Sequence, residues 1–194
     1  MQWSVVISWF SLVIFIWAVT DMIKAIVVVN NHGKVRLSKF YTHVPVTKQQ
    51  QVVKDLFGMV SKRSDGVCNF VEDASFGKGT KVVYRVYATL IFIFVVDQSE
   101  SELGILDLIH VMVEAFDHVF ENVCELDLIF HTDKVHHIVD EIVMGGMVLE
   151  THLQEILTAV REQEELDVKA SRETPTAQRP MRGGLNAGGG FVRR

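Results

Sequence analysis

The chain has 194 residues, 48% of them hydrophobic, and a formal net charge of −5 at pH 7. That is enough apolar material for one good core and one domain, while the acidic balance argues against nucleic acid as a partner of the fold. Residues 169–194 hold six Lys or Arg and one Glu, so the charge is split between a basic end and a still more acidic body.

Residues 1–20 carry no charged side chain. Their length just reaches a membrane span, and Lys24, Lys34, Arg36 and Lys39 on the C-terminal side would hold the remainder in the cytosol. A secretory signal fits less well, because no positive n-region precedes the apolar stretch and no clean cleavage site follows it. An anchor conflicts with what comes next, since a strand opening at Ile23 leaves Asp21 and Met22 as the whole linker. A translation start at Met22, with residues 1–21 an upstream in-frame extension, meets no such conflict and is the preferred reading.

Residues 23–29 form a nearly continuous apolar run rich in β-branched side chains, followed by the turn cluster Asn30-Asn31-His32-Gly33 and a second strand over residues 35–41. This predicts a hairpin. Pro45 and Thr47 then open a helix whose buried stripe is Val52, Val53, Leu56, Phe57 and Val60. Three further strands are expected over residues 68–72, 82–86 and 88–96, the last too apolar on both faces to lie at an edge. From Ser99 the apolar positions Leu103, Leu106, Ile109, Val113, Phe116 and Phe120 recur at helical spacing, with Ser99 and Glu102 placed as a capping box. A second helix carries Val135, Ile138, Val139, Ile142 and Val143 and should end at Gly145-Gly146. A third, capped by Thr151 and Gln154, buries Leu153, Ile156, Leu157 and Val160. Strands, a helix, more strands and then helices make an α+β fold in which helices pack on an antiparallel sheet. After residue 165 the composition turns to Gly, Pro and Arg, predicting a disordered basic tail over residues 166–194 whose solvated state is preferred over a role at a membrane or on RNA.

The chain shows little of the chemistry of an enzyme. Cys68 and Cys124 lack metal-ligand spacing and sit among apolar residues, which predicts reduced core thiols. His136 with Asp140 and His137 with Glu141 lie one helical turn apart, a spacing more typical of a surface ion pair than of a metal centre. Gly77-Lys78-Gly79-Thr80 lies between strands rather than ahead of a helix, so it reads as a hairpin loop and not a phosphate cradle. Neither a nucleophile elbow nor a Cys/His dyad is apparent. No catalytic residue, metal or cofactor is therefore assigned.

The stretch Phe120-Glu121-Asn122-Val123-Cys124-Glu125-Leu126-Asp127-Leu128 is shared almost letter for letter with the small, or sigma, subunits of the clathrin-type adaptor protein complexes, which the chain resembles from Met22 to about Val160. Val82-Val83-Tyr84-Arg85 followed by Leu90-Ile91-Phe92 is similar to the sigma signature, with Ile91 where Tyr is usual. Three passages most resemble the adaptor protein complex 3 branch. They are Met22-Ile23-Lys24-Ala25-Ile26 with Asn30-Asn31-His32-Gly33-Lys34, the run from Ser99-Glu100-Ser101-Glu102-Leu103 to Ile109, and the run from Met144-Gly145-Gly146-Met147 to Thr151.

The resemblance implies a longin-like domain over residues 22–165, with a five-stranded antiparallel sheet and helices packed on it. It implies a non-enzymatic subunit of a heterotetrameric vesicle coat, partnered by a large delta-type chain, a second large beta chain and a medium mu chain, on Golgi, endosomal and transport-vesicle membranes. It also implies capture of acidic-dileucine signals in the cytosolic tails of membrane cargo. The leucine pocket would be formed by Ala88, Leu90, Phe92, Val113, Asn122, Val123 and Leu128, with Arg36 drawing the acidic residue of the signal. Apolar stripes are core in most proteins, so periodicity alone gives these residues no such role. Two rival functions stay open: a longin-type regulatory or membrane-fusion domain anchored by the N-terminal segment, and a purely structural subunit. For the acidic residues Glu121, Glu125 and Asp127 the expectation is solvent or the large subunit.

Overall fold

A computed structural model describes residues 23–64, 67–72 and 79–173, without the side chains of 171–173. The N-terminal apolar segment, most of the loop at Gly77-Lys78 and the chain beyond 173 lie outside these residues.

Five strands, β1 (Ile23–Asn30), β2 (Val35–Phe40), β3 (Phe70–Glu72), β4 (Thr80–Tyr87) and β5 (Leu90–Asp97), form an antiparallel sheet in the order β2-β1-β5-β4-β3. Between β2 and β3 the chain forms helix α1 (Val46–Val60), and after β5 come α2 (Glu102–Phe120), α3 (Glu125–Phe130), α4 (Thr132–Ile142), the small hairpin β6 (Val143–Met144) and β7 (Met147–Val148), and α5 (Leu153–Glu173). The expected α+β fold is the one observed.

The strand order explains the sequence pattern. β1 and β5 are neighbours at the middle of the sheet and are buried along nearly their whole length, which is why both lack the apolar–polar alternation of a half-exposed strand. Successive residues of a strand point to opposite faces. Ala25, Val27 and Val29 of β1 and Ile91, Ile93 and Val95 of β5 therefore share one face, which α1 covers with Val53, Leu56 and Val60. Ile26, Val28, Leu90, Phe92 and Phe94 share the other face with α2, α4 and α5. Those three helices bring Ile109, Met112, Phe116, Ile138 and Ile156 to the contact, all at most 1% exposed.

The β1–β2 turn is locked by Asn30, a buried polar residue whose Oδ1 accepts from the backbone N–H groups of His32 (3.0 Å) and Lys34 (2.8 Å). Gly33 has φ +75°, and a Cβ there would stand 2.7 Å from the Phe57 ring of α1, so both backbone shape and space require glycine. At the opposite end of β1 the Ile23 N–H donates to the Gly146 carbonyl at 2.9 Å, fastening the first strand to the β6–β7 turn.

Several local expectations are corrected. The N-cap of α2 is Ser101, whose Oγ accepts from the Gly104 N–H, while the Ser99 hydroxyl donates to Asp97. Leu103 is 74% exposed, and the buried stripe of α2 runs instead through Ile105, Leu108, Ile109, Met112 and Phe116. α4 ends at Ile142, and Gly145-Gly146 is the turn of a hairpin rather than a helix stop. Ahead of α5 the Glu150 carboxylate accepts from the N–H groups of Thr151 and His152, so the Thr151–Gln154 box does not form the start of that helix. The helix continues to Glu173, past the boundary expected after residue 165. Cys68 and Cys124 are free thiols but exposed, since β3 begins only at Phe70 and Cys124 sits at the N-cap of α3. Among the described residues no helix is long and apolar enough to cross a membrane.

Candidate peptide-binding site

The residues expected to form the leucine pocket come from three elements and two turns. Leu90 and Phe92 lie two apart on β5 and so face the same side, with Leu90 opposite Asn30 on β1 and Tyr87 on β4. α2 supplies Val113 and α3 supplies Leu128. All four are buried in one apolar cluster, at 4%, 0%, 6% and 1% exposure for Leu90, Phe92, Val113 and Leu128, and Val123 packs half-buried against it. Ala88 and Asn122 are exposed, in the turns that precede Leu90 and Val123.

Those two turns share an uncommon backbone. Ala88 has φ +51° and Asn122 φ +81°, with Glu121 beside it at +52°, a region that costs a residue with a Cβ about 1–2 kcal/mol. At Ala88 the strand expected from residue 88 does not begin until Leu90, and the turn carbonyl of Thr89 accepts from the Asn31 N–H at 3.0 Å. At Asn122 the strain is held by Asp117. Its backbone carbonyl accepts from the N–H groups of Glu121 and Asn122, and its Oδ1 accepts from the Val123 N–H at 3.0 Å. Asp127 completes the turn by accepting from the Cys124 N–H at 2.8 Å, and these hydrogen bonds hold its carboxyl below the usual carboxylate range. Nothing in the sequence marked Asp117, since its bond spans a helix end that periodicity does not reveal.

A line of rings runs through the same region. Tyr87 meets Phe92 edge-on at 5.8 Å, Phe92 lies 6.3 Å from Phe116, Phe116 lies 6.4 Å from Phe120, and Phe120 stacks on His131 at 5.8 Å. The Lys134 ammonium sits 5.5 Å from the Phe120 centroid. The Tyr87 hydroxyl lies 3.4 Å from His110 Nδ1, which makes Tyr87 and His110 polar members of this wall that the sequence did not single out.

Arg36 reaches the site from β2, and it is occupied. Its Nε donates to Glu125 Oε1 at 2.8 Å, its Nη2 donates to the same oxygen, and Asn30 Nδ2 donates there as well at 3.0 Å. The Arg36 hydrogen bond, aided by that of Asn30, holds the Glu125 carboxyl below its ordinary range. Glu125 is therefore not simply solvated, as one expectation had it, but paired within the chain, and Asp127 is engaged in a cap. The pair of Arg36 with Glu125 ties β2 to the start of α3 across 89 positions of sequence.

The histidine pairs resolve as surface chemistry. His137 Nε2 lies 3.8 Å from Glu141, and Asp140 takes Lys39 rather than His136 as its ion-pair partner. Among the described residues no group of three or more His, Cys, Asp or Glu side chains is gathered around a common centre.

With this sheet, these helices and this turn, the chain belongs to the clathrin adaptor complex small chain family, whose model matches residues 22–167. Among its relatives in that family are AP-3 sigma subunits. It is 62% identical over 135 residues to the AP-3 complex subunit sigma of Dictyostelium discoideum, covering 68% of this chain and 79% of the relative. It is 59% identical over 148 residues to the AP-3 complex subunit sigma-2 of Homo sapiens, covering 75% and 77%. With the Arabidopsis thaliana AP-3 complex subunit sigma it shares 47% identity over 151 residues, 77% of this chain and 91% of that one. In three dimensions it superimposes on a chain from a homology model of the full-length AP-3 complex in a stretched open conformation, with TM-score 0.61 and 34% identity, over 79% of this chain and all of the other.

Proposed function

We propose that this chain is the small subunit of an AP-3-type heterotetrameric adaptor, acting in vesicle-coat protein transport on the cytosolic face of Golgi, endosomal and vesicle membranes. There it binds cargo signals made of an acidic residue, three spacer residues, then leucine followed by leucine or isoleucine. The observation that carries the reading is the convergence of Leu90, Phe92, Val113 and Leu128 in one apolar cluster, flanked by the exposed turns at Ala88 and Asn122, with Arg36 bound at the start of the helix that contributes Leu128.

The chemistry fits the task. Two leucine side chains moving from water onto such a wall gain about 3–6 kcal/mol before ordering costs, which suits reversible capture. The exposed Asn122 offers an amide to an extended peptide backbone, and a guanidinium at one edge recognises a carboxylate. Partner subunits have apolar surface to cover. Leu126, Ile129 and Phe130 on α3, and Met144, Met147, Val148 and Leu149 around the hairpin, are exposed, and contiguous apolar surface of this kind marks protein contacts.

The test is binding of a dileucine peptide to the small–large subunit pair. Val113→Asp, placed at the wall, is expected to abolish binding while the pair still assembles. Unchanged affinity overturns the pocket assignment. Arg36→Ala separates recognition from scaffolding: loss of cargo with intact assembly supports recognition, and no effect on cargo supports a structural subunit.

A further inference from the structure

Glu125 places a carboxylate where the proposed cargo would place its own. Arg36 donates from adjacent nitrogens to one Glu125 oxygen, and its Nη1 stands 3.4 Å from the Val35 carbonyl. The two side chains are 16% and 27% exposed, so the pair is largely covered yet open to exchange with solvent. A guanidinium presents its five N–H donors in one rigid plane, and a second carboxylate brought to the same edge meets the first as a like charge. A carboxylate that replaces Glu125, by contrast, exchanges one ion pair for another.

We infer that Glu125 is a built-in stand-in for the acidic residue of the signal, holding Arg36 until a cargo carboxylate displaces it. The inference rests on the dileucine reading of the pocket and assigns it a threshold. An isolated acidic peptide gains nothing by the exchange, because it must break a pair equal to the one it makes. A peptide whose leucines are seated on the apolar wall delivers its carboxylate at high local concentration, and the exchange then proceeds. The arrangement favours signals that carry both parts over peptides that carry one. Asn30 is the counterpart on the protein side. It spends its Oδ1 on the β1–β2 turn and its Nδ2 on Glu125, so the stand-in is positioned by the same turn that fixes the strand.

The experiment measures binding of two peptides to the assembled adaptor complex, one with the full signal and one with its acidic residue replaced by glutamine. Complexes carry the unaltered chain, Glu125→Gln, Glu125→Ala or Val113→Asp, with melting of each complex as the folding control. Removing the Glu125 charge is expected to tighten the full signal about two- to fivefold, the size of an exposed or half-covered ion pair, and to leave the glutamine peptide unchanged. Equal or weaker binding of the full signal by both Glu125 variants overturns the stand-in, and shows Glu125 to be a support for Arg36 instead. If Val113→Asp binds as well as the unaltered chain, the pocket itself is overturned, whatever the Glu125 variants do.

Discussion

The two faces of the central sheet are made by alternate residues of the same two strands, yet they end differently. On the α1 face Ala25, Val27, Val29, Ile91, Ile93 and Val95 are covered by Val53, Leu56 and Val60, and a groove lined by Val60, Tyr84, Arg85 and Ile91 opens at its edge. On the other face the layer is built from Leu90, Phe92, Phe94 and Phe116, and at one end it runs out into two exposed turns and an ion pair. Those turns and that pair are where the proposed reading places the cargo peptide. On the proposed reading Phe92 serves stability and recognition together, whereas its neighbour Ile93 serves stability alone.

Substitutions on adjacent β5 positions test that division most severely. Ile93→Ala and Phe92→Ala each remove a fully buried side chain and are expected to cost about 2–5 and 3–5 kcal/mol in urea denaturation. Peptide affinity of the folded material should fall for Phe92→Ala and hold for Ile93→Ala, and a loss in both would dissolve the difference between the faces.

The turns at the same end of the sheet give a smaller pair of effects with opposite signs. Gly33→Ala forces a methyl group into the left-handed region against the Phe57 ring and should cost about 1–2 kcal/mol. Ala88→Gly relieves the same backbone strain in the β4–β5 turn, offset by the greater freedom of glycine in the unfolded chain, and should raise stability by about 1 kcal/mol or less. Thermal melting reads both, and a destabilised Ala88→Gly would mean that the methyl group packs against something the turn needs.

The smallest effect is that of acid. The hydrogen bonds on Asp127 and those on Glu150 lower both carboxyl pKa values on folding, so their contribution is present above the ordinary carboxylate pKa of about 4 and is lost as pH falls through the depressed folded values. Melting temperature should therefore decline below about pH 4. Asp127→Asn, which keeps a capping oxygen but does not titrate, should flatten part of that decline.

How much of this was legible in the sequence differs by the range of the interaction. β1 and β5 follow from their continuous apolar runs and the stripes of α4 and α5 from helical spacing, while the stripe of α2 was legible only at Ile109, Val113 and Phe116. The ends of elements were less legible. Ser99, Ser101, Thr151 and Glu150 all offer an oxygen near a helix start, and only the chain's path decides which one meets an N–H. The residues proposed for the pocket were named through family likeness, since Leu90 and Val113 look like any core residues and are buried as such. The occupant of Arg36 was not legible, because no local rule links a β2 arginine to a glutamate at the start of a distant helix.

The bond from the Ile23 N–H to the Gly146 carbonyl sets where the chain enters the domain. β1 has eight residues and runs from there to Asn30, so the entry lies about 25 Å along the strand from the turn that holds Glu125. A fluorophore or affinity handle joined at Ile23 would thus sit at the far end of the sheet from Leu90 and the Arg36–Glu125 pair, away from the proposed peptide site.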